Sequence, residues 1–165
     1  MEMLLVILAK AFWCGWAALG FSLLFNAPAR ALLPVWICGF LAGLVKFSLL
    51  HPALGAGIIM ASFLASLAIG LVSIPVAHLR HVTPMIFAIP AVIPLVPGTF
   101  AYRTMLGLMK LAGKVGADYA TTLDETVHNG VTTLFIILAL SLGAALPMHI
   151  MRKESVKNIG KGRAA

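Results

Sequence analysis

The segment Pro90-Ala-Val-Ile-Pro94-Leu-Val-Pro97-Gly98-Thr99-Phe-Ala-Tyr102-Arg103 places three prolines and a glycine in an otherwise apolar run. A regular helix cannot pass through it. Pro94 and Pro97 have no N–H to donate, and each ring clashes with the carbonyl four residues earlier. The spacing predicts a discontinuity between about Pro90 and Thr99, with carbonyls released near Pro90 and Ile93. In hydrocarbon, such backbone survives only inside protein or beside a water-filled cavity. A helix that restarts after Pro97-Gly98 would aim the N–H groups of Thr99, Phe100 and Ala101 back into the break, where they can bind an anion. Thr99 and Tyr102 add hydroxyls, and Arg103 could grip a carboxylate with two hydrogen bonds. The competing readings are a proline kink between packed helices, and an Arg103 and Tyr102 that mark the membrane interface.

A second group lies further on. Thr121, Asp124 or Glu125, His128 and Thr132 fall at steps of three and four, so they share one face of a helix, with Asn129 and Thr133 beside them. Asp124 and His128 are four apart and could share a proton, as a coupling site requires. Thr122-x-x-Glu125 reads as a capping box that starts this helix, with Asp124 and Glu125 in its first turn. A solvent-exposed helix entry is the alternative for the two acids. His78 and His81 stand without neighbouring Cys, Asp or Glu and read as interfacial residues rather than metal ligands. No nucleophile triad, phosphate loop or catalytic carboxylate pair is recognisable. The sequence therefore reads as neither an enzyme nor a cofactor protein.

The elements that must position these groups are membrane helices. Of the 165 residues, 61% are hydrophobic and only 10% charged, against about 25% charged in soluble domains. The chain reads as an all-α integral membrane protein, a bundle of about five helices with the fourth broken at Pro94-Pro97-Gly98. The apolar segments run about Leu4–Phe25, Ala31–Leu50, Gly55–Ala77, Met85–Leu106 and Val127–Met151. Residues 1–151 form the membrane domain and 152–165 a basic tail. With five spans, Arg30, Arg80 and the tail's Arg152, Lys153, Lys157, Lys161 and Arg163 share one side. Lys46, Arg103, Lys110 and Lys114, plus Lys10, fall to the other. The first set marks the cytoplasm, leaving the N-terminus outside. A re-entrant fourth segment would give four spans instead. The basic excess suits lipid headgroups better than nucleic acid. Cys14 and Cys38, isolated in apolar runs, read as packing residues. Gly39-x-x-x-Gly43, Ser62-x-x-x-Ser66-x-x-x-Gly70, Ala139-x-x-x-Gly143 and Gly15 to Gly20 predict close helix contacts.

Ile93-Pro94-Leu-Val-Pro97-Gly98-x-x-x-Tyr102 resembles the signature of the threonine/serine exporter family of bacteria and fungi. Gly20-Phe21 and Phe25-Asn26-Ala-Pro28-Ala-Arg30-Ala-Leu32 resemble the first loop of that family's small subunit in its two-component bacterial, dicarboxylate (succinate-type) form. The resemblance covers nearly the whole chain. It implies a multi-pass inner-membrane subunit of a secondary exporter of small carboxylate metabolites, working with a larger membrane subunit. The small-residue faces add self-association as a further expectation. Pro94, Pro97, Gly98 and Tyr102 belong to that signature, and Arg103 does not. A non-transporting assembly subunit is the alternative. The two readings differ in whether polar groups converge on the break.

Overall fold

The computed structural model describes residues 2–52, 55–113 and 119–151, and among them there is no strand. Long apolar runs fold into α1 (Glu2–Leu24), α2 (Ala29–Leu49) and α3 (Ile58–Arg80). α4 (Met85–Val92) passes into one 3-10 turn, Ile93–Leu95, before α5 (Gly98–Gly113) and the 33-residue α6 (Tyr119–Met151). Lys114, Gly116, Asp118 and the tail 152–165, with its five basic residues, lie outside the described residues.

Local chemistry fixes the ends. Asn26 takes the left-handed conformation at φ 53° and closes α1, the Ala27 N–H reaching back to the Ser22 carbonyl. Pro28 then caps α2 in extended backbone. His81, at φ 56°, ends α3 in the same left-handed way. Pro34, Pro75 and Pro147 each sit inside a helix without interrupting it. Only where Pro94, Pro97 and Gly98 crowd together does the helix give way, and Pro90, itself within α4, does not contribute to the gap.

Small residues set the packing. A Cβ at Gly39 would meet Ala18 and the Cys14 carbonyl, and one at Gly43 would meet Ala11 and Cys14, so α1 and α2 cross at backbone contact. α3 and α6 meet in the same manner, Gly143 against Ser66 and the Phe63 carbonyl, Gly70 against the Ala144 carbonyl and Pro147. Gly20, by contrast, faces open space and joins no interface. α4 buries Phe87, Ala88 and Ala91 among α1, α2 and α3. α5 packs mainly on α6, where Gly107 lies against Thr126 and Gly130 against Thr104.

Four helices are long and apolar enough to span a membrane, and α4 with α5 make a fifth path bent by 54°. A re-entrant hairpin needs a near reversal of direction. A 54° bend is well short of that, so α4 and α5 are consistent with one broken span and a total of five candidate crossings.

One expectation fails here. Thr122-x-x-Glu125 does not start the last helix, because Tyr119, Ala120 and Thr121 already belong to it. Ala is the strongest helix former, and neither it nor its neighbours oppose an earlier start. Thr122 behaves as a mid-helix residue whose carbonyl accepts from the Thr126 hydroxyl at 2.5 Å.

Candidate functional site

The break begins three residues later than Pro90. Ile93 still finds a donor, the Val96 N–H at 3.0 Å, which closes the 3-10 turn. Val96 then swings to extended backbone, φ −59° and ψ 135°. The Gly98 N–H turns onto the Val96 carbonyl at 2.9 Å, and the Ala101 N–H already bonds Pro97 at 3.1 Å. Ala101 is therefore part of α5's first hydrogen-bonded turn and not a free donor. Thr99 and Phe100 are the N–H groups whose ordinary helical acceptors the break has moved away.

Leu95 is the residue whose carbonyl the break sets loose toward the protein interior. It accepts the Lys46 ammonium at 2.5 Å, and Lys46 is only 8% exposed. A lysine near the end of an apolar helix ordinarily snorkels to the surface, and the positive-inside count treated Lys46 as such a surface charge, with Arg103 and Lys110. The structure instead buries its side chain in the protein. A signal was present: Gly39, Gly43 and Lys46 fall at steps of four and three, so Lys46 continues the small-residue stripe that packs inward. Its side chain leans toward the start of α2, away from the near surface. Ten residues of rise put Leu95 about 15 Å from Met85, roughly half of a 30 Å hydrocarbon core.

Pro94 is half-buried and Pro97 buried beside this point, while Gly98 and Thr99 are exposed. A Cβ at Gly98 would meet nothing within 4 Å. Tyr102 is 66% exposed on the first turns of α5.

Arg103 and the α6 stripe do come together. Between α5 and α6 runs a polar groove of about 580 Å³, lined by Arg103, Lys110, Asp124, Glu125, His128 and Asn129 among others. Asp124 and His128 are both exposed on its α6 wall. Gly98, Thr99 and Tyr102 do not line it. The α5 wall of the groove runs from Arg103, about 7.5 Å of helix beyond Gly98, to Lys110. α6, at 33 residues, is about 50 Å long against a core of about 30 Å, so its polar first turns extend past the hydrocarbon. Lys110, which the sequence reading used only in the loop charge count, and Glu125, read there as a stripe or cap residue, both line this groove, and pairing of α5 with α6 is needed to see them together. Among the described residues, no three His, Cys, Asp or Glu side chains gather as a metal site. His78 instead turns its Nδ1 to the Ile74 carbonyl at 2.9 Å.

Residues 10–150 match the family described as Threonine/Serine exporter, ThrE. An uncharacterized protein of Haemophilus influenzae is 31% identical over 130 residues, covering 79% of this chain and 42% of its own length. The chain thus spans less than half the length of that relative. No solved structure matches it. The chain belongs to the threonine/serine exporter family, a family of multi-pass membrane transporters.

Proposed function

We propose that this chain is a subunit of a bacterial secondary exporter of small carboxylate metabolites, either threonine and serine or dicarboxylates such as succinate. It works in the inner membrane together with a larger subunit of the same family. The observation that carries this reading is the interruption between α4 and α5, whose freed Leu95 carbonyl receives the buried Lys46 side chain from α2. Broken helices near the midplane are how secondary transporters hold anionic substrates. The rival reading, an assembly subunit with a break used only for packing, gives no role to polar groups converging there.

In this account Pro94 and Pro97 hold the gap open, and the missing side chain of Gly98 lets a carboxylate approach the N–H groups of Thr99 and Phe100. The Thr99 and Tyr102 hydroxyls add donors. Arg103 stands at the head of the groove that leads along α5 and α6 to the surface. Asp124 and His128, four apart on its wall, exchange the proton that accompanies release. Residues 1–151 act as the membrane domain and 152–165 as a cytoplasmic tail, which makes the groove an outward exit. The relative's greater length supports a design in which further family sequence, here a second subunit, completes the path.

The test is efflux of threonine, serine and succinate from loaded cells carrying this chain, the larger subunit, or both. Export that needs both supports the proposal. Full export by this chain alone contradicts the two-subunit reading, and no export with both contradicts transport of these substrates.

A further inference from the structure

Lys46 is a buried lysine in the last turn of α2 for which the break alone does not account. Its ammonium has three N–H donors, of which the Leu95 carbonyl uses one. A carbonyl is a dipole and cannot balance the charge. The sequence has five acidic residues, none of them in α2, α3, α4 or α5. Among the described residues no Asp or Glu pairs with Lys46. A buried cation without a counter-ion is costly, more so at membrane depth, and such residues mark substrate or ion pathways.

Leu95 also fixes where the second positive feature lies. Its helical donor would have been the Thr99 N–H, which now opens α5 on the other side of the gap. Gly98 is three residues beyond Leu95, so even a fully extended chain keeps them within about 11 Å. Lys46, through Leu95, and the positive end of α5 therefore stand at the same break, and none of the acidic residues lies on α2, α3, α4 or α5. Two positive features without a protein anion beside them have the charge pattern of a carboxylate site.

We propose that Lys46 supplies the counter-charge for the substrate carboxylate, which sits between its ammonium and the first N–H groups of α5. This inference rests on the exporter reading and deepens it. It moves the charged contact from Arg103, outside the family signature, to a lysine on a different helix. The carboxylate takes the two donors that Leu95 leaves free, so the Lys46–Leu95 bond persists or is shared when substrate is bound.

The test compares thermal stabilisation of the chain in its native membranes by succinate and by succinamide, and by L-threonine and L-threoninamide. The amides match their acids in size and lack the carboxylate charge. Wild type should respond to the acids at concentrations at least about tenfold lower than to the amides, the factor expected for one charged hydrogen-bonded contact. Lys46→Gln, which can still donate to Leu95, and Lys46→Met, which removes the buried charge at similar length, should each erase that preference. Lys46→Arg should retain a preference for the acids. An undiminished acid preference in either neutral variant overturns the role of Lys46 while leaving the exporter reading intact. A wild type that neither exports nor responds to any of the four compounds overturns both.

Discussion

The Lys46 ammonium meets the Leu95 carbonyl at 2.5 Å, across 49 residues of sequence. The contact ties α2 to the broken span, so the position of the break is set by a neighbour as well as by its own prolines. Removing the tie has opposing effects on stability. The Leu95 carbonyl loses a partner, and a desolvated charge disappears. Lys46→Met should therefore change unfolding stability by no more than about 1 kcal/mol while lowering export at least tenfold. Parallel thermal melts and efflux rates at matched membrane levels check this. A large loss of stability with normal specific activity would make Lys46 a structural residue.

Two glycines of α5 should respond in opposite ways to the same substitution. A side chain at Gly107 collides with Thr126, whereas one at Gly98 meets nothing. Gly107→Val should cost about 1–3 kcal/mol through overpacking of α5 on α6. Gly98→Val should stay within about 0.5 kcal/mol of wild type. Thermal unfolding of the two variants in detergent decides the comparison.

How much was legible depended on whether the signal was local. The break at Pro94, Pro97 and Gly98 was readable because proline chemistry acts within four residues. The glycine and serine stripes of α2, α3 and α6 were readable because one helical face repeats in sequence. The start of α6 was misread, since Thr122 and Glu125 carry the cap pattern but Tyr119 and Ala120 extend the helix beyond it. The burial of Lys46 was not legible because its partner, Leu95 in the 3-10 turn, lies 49 residues away. The groove was invisible as a unit, because Arg103 and Asp124 become neighbours only when α5 folds back along α6.

If α4 and α5 form one bent span, the helices make five crossings, and the positive-inside pattern predicts a cytoplasmic tail with the end of α5 outside. A cysteine added after Ala165 should react with an impermeant maleimide only after the cells are opened. One placed at Gly113 should react in intact cells. The reverse pattern would invert the orientation. A cysteine at His81, between α3 and α4, should react only after the cells are opened, and labelling at His81 and Gly113 from the same side would mean a re-entrant fourth segment and four crossings.

Asp124 and His128 share the α6 wall of the groove. If they pass one proton between them, Asp124→Asn and His128→Gln should each slow export, and the double variant should be no slower than the worse single one. Independent, multiplying losses would show that the two side chains act separately. Rates equal to wild type in both single variants would remove the pair from the mechanism.

The central claim is that the break itself receives the substrate carboxylate. The measurement that bears on it most directly is export of threonine and succinate by Gly98→Val and Tyr102→Phe variants at matched membrane levels, with the larger subunit present. Gly98 lies open and Tyr102 exposed, so neither change should disturb the fold. Loss of a hydrogen bond to a charged group costs about 1.5–3 kcal/mol, and the account predicts export of the preferred substrate to fall about ten- to a hundredfold in both variants. Wild-type export from both would mean that the break serves packing alone.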